Sequence, residues 1–162
     1  MSKKYDFRNS TPVLLRGAYL SLHRHAHARY SEAAQVTADQ YVFMSMLEEE
    51  GGITQKELGQ RAYSDANTTT NMLKLLEKRG LVERKTDLRD RRAIRVYLTP
   101  EGRRVKKIVD ATHLSLNPGL RELMDPEKHP VVVQWLRNVL AAYAEDYQQQ
   151  KKDKPGRIAN AG

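Results

Sequence analysis

The stretch "ITQKELGQRAYSDANTTTNMLKLLEKRGLVERKTDLRDRRAIRVYLTPEGRR", Ile53 to Arg104, decides the fold. At its start Thr54 is followed three residues later by a glutamate, the capping-box pattern that begins a helix. That helix is short, and Ser64 or Asp65 caps a longer one that ends at Gly80, a residue type suited to closing a helix in the left-handed conformation. A short helix, a tight turn and a longer helix predict a helix-turn-helix.

The rest of this stretch predicts a two-stranded wing. The segments "LVERKT" and "AIRVYLT" alternate or are β-branched, and they flank the loop "DLRDRR". The segment "TPEG" then begins another helix, with Thr99 as its N-cap and Pro100 in its first position. This helix kinks or ends near Asn117-Pro118, and a last helix begins at Asp125 or His129.

The sequence therefore predicts a mainly α protein with a small β wing. The winged helix-turn-helix domain spans residues 37–99, and helices on either side, 11–36 and 100–148, are predicted to mediate dimerisation. Residues 1–10 and 149–162 are polar and are expected to be flexible. The apolar stripe from Val131 to Tyr143 favours burial against a second subunit, and packing on its own chain is the alternative.

Charge indicates a polyanionic partner. The chain of 162 residues has 28 basic and 20 acidic residues, a net charge of +8, which suits nucleic acid or an anionic membrane surface. Between residues 74 and 107 there are 13 Lys/Arg and five Asp/Glu, so the whole excess lies there. Such concentration is what phosphate neutralisation requires. No apolar run is long enough for a membrane span, so we expect a cytoplasmic protein without a membrane partner.

The longer helix of the helix-turn-helix has one apolar and one polar face. Helical spacing places Thr69, Met72, Leu73 and Leu76 together. The opposite face supplies the candidate DNA contacts Ser64, Asn67, Thr68, Thr70, Asn71 and Lys74. Asparagine can pair with adenine and a threonine methyl can pack on thymine, whereas lysine contacts phosphates. Leu75 does not fit this division, and an ordinary solvated face is the alternative interpretation.

These residues resemble the MarR family of bacterial transcriptional regulators, through "LEKRGLVER", "DLRDRRA" and "LTPEG" in register. The resemblance implies a homodimer whose outer helices interlock and whose winged domains face successive major grooves of a pseudo-palindromic double-stranded operator. It implies that Arg92 enters the minor groove and that Asp90 orients it by a salt bridge. Arg89 and Arg91 then contact phosphates or the groove rim. A narrow minor groove attracts arginine through its negative potential.

The resemblance also implies a small-molecule effector, often a phenolic or aromatic acid, although the absence of cysteine excludes thiol sensing. The candidate pocket residues are Tyr19, His23, His27, Tyr41 and Met44, whose spacing is equally typical of a plain core. His23 and His27 share a helix face, but a metal site needs a third ligand, for which His113 or Glu32 are the candidates. We expect no metal and no cofactor.

Three other function classes compete with a regulator. The chain has no glycine-rich phosphate loop, nucleophile elbow or spaced metal ligands, so we do not expect an enzyme. A winged helix used for protein contact has no need of a concentrated basic wing. An architectural or RNA-binding module without an effector is the remaining alternative, and it would select no compact inverted repeat from DNA.

Overall fold

A computed structural model describes residues 6–47, 52–88 and 90–152, without the side chains of 117, 118, 120, 121 and 144–152. A single 3₁₀ turn over Phe7–Asn9 precedes the α-helices. The helices are α1 (Thr11–Ala34), α2 (Ala38–Met46), α3 (Gln55–Arg61), α4 (Ala66–Lys78), α5 (Pro100–Glu122) and α6 (His129–Lys152). The strands are β1 (Ile53–Thr54), β2 (Val82–Thr86) and β3 (Ile94–Leu98). The chain divides into two compact units, residues 1–116 and residues 117–162.

The sheet confirms the predicted wing and adds one strand to it. Strands β2 and β3 pair in antiparallel register from Val82 opposite Leu98 to Thr86 opposite Ile94. Strand β1 pairs with the other edge of β3, so that the order is β1-β3-β2, where the sequence predicted two strands only. Two residues are too few to show an alternating pattern, and β1 is therefore invisible without its partner strand.

The core of the first unit holds α4 in place. Leu73 and Leu76 of α4 are completely buried, together with Met44, Leu58 and Val96 from α2, α3 and β3. The predicted inner face of α4 is thereby confirmed, with Thr69 buried and Met72 partly buried against the same cluster. Because the core fixes one face of α4, the opposite face is presented to solvent in a single orientation.

Helix ends follow the predicted caps, and of the two outcomes predicted near Asn117-Pro118, a kink or an end, the end does not occur. Thr54 accepts a hydrogen bond from the Glu57 N–H at 3.1 Å, and Thr99 accepts one from the Gly102 N–H at 2.9 Å. Helix α5 continues through Asn117-Pro118 to Glu122, because a proline removes one backbone hydrogen bond while the flanking turns stay helical. Helix α6 extends past residue 148. Within the described ranges, no helix is both long and apolar enough to span a bilayer.

Replacing Asp65 by alanine is expected to destabilise the protein by about 1–2 kcal/mol, because Asp65 is the N-cap of α4. Its Oδ1 accepts the backbone N–H groups of Asn67 and Thr68, both at 2.9 Å, and its Oδ2 accepts the Thr68 hydroxyl at 2.8 Å. Chemical denaturation of the variant measures the loss. Asp65→Ser retains a capping oxygen and should lose less; equal losses would contradict the capping role.

Candidate nucleic-acid interface

The exposed face of α4 carries three polar side chains that no described residue engages. Asn67, Asn71 and Lys74 are exposed, and no hydrogen bond or ion pair joins their side chains to another residue of the described part of the chain. Short amides and an ammonium group with free donors and acceptors are suited to base edges and to phosphates. These three residues are therefore the best-presented of the predicted contacts on this helix.

The other predicted contacts on α4 already have partners. The Thr68 hydroxyl donates to Asp65, and the Thr70 hydroxyl donates to the Ala66 carbonyl at 2.8 Å and accepts from Gln55 Nε2 at 2.9 Å. The Ser64 hydroxyl lies 3.4 Å from the Asp65 carbonyl. Because both threonine hydroxyls are occupied, these residues present mainly their methyl groups for contact with a base.

The turn of the wing is organised by Asp87, which is only 6% exposed. Its Oδ1 accepts the Asp90 backbone N–H at 3.1 Å, and its Oδ2 pairs with Nε of Arg95. Arg95 also donates through Nη1 to the Gly52 carbonyl at 3.0 Å. Arg95 therefore joins the turn of the wing to Gly52, the residue that precedes β1.

The predicted salt bridge between Asp90 and Arg92 is wrong. Asp90 Oδ1 instead accepts the backbone N–H of Arg92 at 3.0 Å, and no described carboxylate lies within ion-pair distance of the Arg92 guanidinium. A carboxylate two residues before an amide readily closes an Asx turn, and the tight loop brings the amide closer than the side chain. Arg91 and Arg92 are both exposed, and Arg89 lies outside the described residues.

A second ion pair joins α4 to the wing. Arg84 on β2 donates to Glu77 Oε2 through Nε at 3.0 Å and through Nη2. The hydrogen bond from Arg84 lowers the pKa of the Glu77 carboxyl, although burial acts in the opposite direction. The sequence carries no signal for this pair, because the two residues belong to different elements. The contact ties the helix that presents Asn71 to the strand that leads into the wing.

After ion pairing within the chain, several cations on α4 and on the wing, the two elements that carry the predicted contacts, have no described carboxylate partner. Four of the five carboxylates between residues 74 and 107 pair with Arg84, Lys85, Arg95 and Arg104, and Asp90 is the exception among the described residues. Cations without a described carboxylate partner include Lys74 and Lys78 on α4 and Arg91 and Arg92 on the wing. Free cations on both elements of a helix-turn-helix and its wing form the electrostatic pattern of a duplex-binding surface.

The predicted pocket residues do not form one group. Tyr19 and His27 are exposed on α1 beside His23, whose Nε2 lies 2.9 Å from Asp39 Oδ1. Tyr41 belongs to a different cluster, and Met44 is completely buried in the core. Helical spacing is the same for a pocket wall and for a core, which is why the sequence did not separate them. Among the described residues there is no group of three metal-ligating side chains.

A partly buried polar cluster that was not predicted from the sequence surrounds Tyr41. The Tyr41 hydroxyl donates to Asp110 Oδ1 at 2.8 Å, and the Tyr30 hydroxyl lies 2.6 Å from His113 Nδ1. The rings of Tyr30 and Tyr41 meet edge to face with centroids 4.9 Å apart. Lys106 pairs with the other oxygen of Asp110 at 2.8 Å. The residues of this cluster come from α1, α2 and α5, so no local sequence pattern predicts the cluster.

Burial and the bond to Asp110 raise the pKa of Tyr41 to about 12. The difference in phenolate absorbance between the wild type and Tyr41→Phe reports the ionisation of Tyr41 alone. We expect this difference to appear near pH 12 in the folded protein, above the ordinary tyrosine pKa of about 10. Because the folded pKa is the higher one, the stabilisation is complete below pH ~10 and is lost as the pH rises towards 12. Wild-type unfolding free energy should therefore fall more steeply than that of Tyr41→Phe over this interval; parallel curves would contradict the assignment.

The sequence model of the MarR family matches residues 36–94, which include α2, α3, α4 and β2. The chain is 37% identical over 94 residues to the HTH-type transcriptional regulator TtmR of Methylorubrum extorquens (strain PA1), covering 57% of this chain and 48% of that protein. The chain spans about half the length of the curated relatives it matches.

Two solved structures share the fold over most of the chain. The transcriptional repressor CouR, bound to a 23-mer DNA duplex, has a TM-score of 0.74 at 21% identity, covering 86% of this chain and 98% of CouR. Bordetella bronchiseptica BpsR, studied for regulation of its DNA binding by 6-hydroxynicotinic acid, has a TM-score of 0.72 at 24% identity, covering 85% and 97%. Over residues 36–94 the chain is thus similar to the MarR family, and it has the winged helix-turn-helix fold of these solved regulators.

Proposed function

We propose that the protein is a sequence-specific transcriptional regulator that binds double-stranded DNA. Helix α4 lies in the major groove, where Asn67 and Asn71 read base edges, and the arginine wing lies in the minor groove. One observation carries this proposal. The side chains of Asn67, Asn71 and Lys74 on α4 have no hydrogen-bond or ion-pair partner among the described residues. In the same compact unit, Arg91 and Arg92 of the wing have no described carboxylate partner. An ordinary solvated face does not require cations to be concentrated on one helix and its neighbouring wing, whereas phosphate neutralisation does.

We propose further that the active form is a homodimer on a pseudo-palindromic operator. Helix α6 supports this, because it exposes a row of large apolar side chains, namely Val131, Trp135, Leu136, Leu140 and Tyr143. An exposed apolar row on a long helix is the usual mark of a subunit interface. Sedimentation analysis should give a dimer, and Leu136→Glu with Leu140→Glu should shift it towards monomer. A monomeric wild type would contradict this part.

The proposal as a whole is tested by selecting bound fragments from random DNA. We expect a compact inverted repeat, bound at least about 10³-fold more tightly than random duplex at physiological salt. Equal affinity for selected and random DNA would overturn the regulator and favour an architectural role. Failure to bind either would favour a protein-contact module.

Asn71→Ala is expected to relax base preference rather than to weaken all binding equally. An asparagine that pairs with adenine contributes about 1–3 kcal/mol of discrimination at one position of each half-site. Repeating the selection with the variant should yield a site degenerate at that position. Lys74→Ala is the matched control, and it should weaken all sequences alike and reduce the slope of log affinity against log salt. Identical selected sites for wild type and Asn71→Ala would remove Asn71 from readout.

We propose that the protein represses its targets and that an aromatic or phenolic acid releases it. The related fold of BpsR, whose DNA binding is regulated by 6-hydroxynicotinic acid, supports this effector class. Two separate clusters are candidates for its site: Tyr19, His23 and His27 on α1, and Tyr41 with Tyr30 and His113. Aromatic acids should raise the melting temperature and lower operator affinity together. If none of a broad panel does so, the regulator works without such an effector.

A further inference from the structure

Tyr63 occupies a backbone conformation that does not suit it. It lies in the turn between α3 and α4 with φ of +51°, in the left-handed region. Within the described ranges only one other residue besides glycine, Gln35, has a positive φ. A side chain bearing Cβ pays a steric cost in this region that glycine avoids and asparagine partly offsets by local hydrogen bonding. Tyrosine is thus an unfavourable choice for the fold at this position.

The Tyr63 side chain makes no described contact that would offset this steric cost. It is 72% exposed, and no hydrogen bond or ring contact joins it to another described residue. The turn itself is held by the backbone, since the Tyr63 N–H donates to the Gln60 carbonyl at 3.1 Å and the Ser64 N–H donates to the Gly59 carbonyl at 2.8 Å. The phenol therefore points into solvent from a turn whose backbone is held by two hydrogen bonds. An unfavourable conformation held in this way is more often found at a functional site than elsewhere.

The place where the phenol is displayed identifies its partner. Tyr63 precedes the N-cap of α4, Asp65, by two residues, and the first turn of α4 carries Asn67. In a helix-turn-helix the N-terminal residues of the recognition helix meet the base edges, so the turn before them passes the rim of the groove, where phosphates lie. A tyrosine hydroxyl is a donor of the kind that phosphate oxygens accept.

We propose that Tyr63 is a positioning residue for operator binding, whose hydroxyl donates a hydrogen bond to a backbone phosphate at the groove rim. This inference rests on the proposed function. The contact fixes the depth of α4 in the groove without reading sequence. Because the phenol is neutral, it displaces no condensed counterion, in contrast to a contact made by Lys74.

The first test compares Tyr63→Phe with the wild type on the operator selected by the wild type, over a range of salt concentrations. We expect affinity to fall about 5- to 50-fold per dimer, since each subunit loses one hydrogen bond to phosphate. The slope of log affinity against log salt should stay that of the wild type, whereas Lys74→Ala should flatten it by about one per subunit.

The second test uses asparagine, which accepts the left-handed conformation. Tyr63→Asn should raise the melting temperature by about 1–3 °C and weaken operator binding at the same time. Gln35→Asn relieves the same conformation at the end of α1 and should raise the melting temperature without any change in DNA binding.

The outcomes separate this inference from the proposed function. The proposed function is judged on the wild type alone, by its preference for a selected operator over random DNA. If that preference exists and Tyr63→Phe binds as tightly as the wild type, the positioning role is overturned. A lower melting temperature in Tyr63→Asn also overturns it, because the side chain would then support the fold. Weaker binding at an unchanged salt slope supports it.

Discussion

Arg92→Ala is expected to weaken operator binding by about 2–6 kcal/mol per dimer, or about 1–3 kcal/mol for each wing. The Arg92 guanidinium is exposed and has no described carboxylate partner, while its backbone N–H is fixed by Asp90 at 3.0 Å. The side chain therefore needs to break no ion pair with a described residue to enter a minor groove, and the backbone that carries it is already ordered. A narrow A·T-rich groove concentrates negative potential where an arginine inserts.

Fluorescence anisotropy with the selected operator measures this loss, and Arg104→Ala is the control. Arg104 is also exposed and basic, but both of its described contacts are to Glu101, at 2.7 and 2.8 Å. Removing it subtracts the same formal charge and should cost far less affinity. Equal losses in the two variants would mean that net charge alone matters, and that Arg92 makes no specific contact. Arg92→Lys, which keeps the charge but loses the planar donor group, should fall between Arg92→Ala and the wild type.

Gly102→Ala is expected to destabilise the protein by about 3 kcal/mol or more. A Cβ at this position would overlap the carbonyl oxygen of Leu81, would lie 2.9 Å from its carbonyl carbon and would lie 3.2 Å from Leu98 Cδ2. The obstacle is mainly backbone, which cannot rotate away as a side chain can. Leu81 O is also the acceptor for the Thr99 N–H at 3.1 Å, so any shift that makes room disturbs a hydrogen bond.

The matched control is Gly17→Ala in the interior of α1, where no atom beyond the adjoining helix backbone lies within 4 Å of the added Cβ. Alanine is the better helix former by about 1 kcal/mol, so this variant should gain stability. The same substitution is thus expected to act in opposite directions at two helical glycines. Chemical denaturation of both variants measures the difference. A Gly102→Ala protein as stable as the wild type would mean that α5 does not begin against the carbonyl of Leu81.

Features that depend on neighbours in sequence were predictable. The caps at Thr54 and Thr99 and the left-handed Gly80 follow from residue types that satisfy backbone groups within three or four positions. The wing followed from alternation over five-residue strands, and its pairing is confirmed. The buried face of α4 followed from helical periodicity in the same way.

Features that depend on the tertiary fold were not predictable. The Tyr30 hydroxyl and His113 lie 83 residues apart in sequence, and neither has a local neighbour that marks it. The spacing of two residues between Asp90 and Arg92 allows the carboxylate to bind either the Arg92 guanidinium or the Arg92 backbone N–H. The conformation of the turn selects the backbone N–H, and this conformation cannot be read from the spacing. Met44 shows the limit of periodicity, since a helix face that points inward gives the same pattern whether it meets a cavity or a core.

The ion pair between Glu77 and Arg84 has a consequence for the way in which DNA shape enters recognition. It joins the helix proposed for the major groove to the strand leading to the minor-groove arginines, so the distance between the two contacts is set within the protein. A duplex whose groove spacing differs from that distance must then deform, and the energy of deformation depends on its sequence. Base pairs that no side chain touches would contribute to affinity through their stiffness.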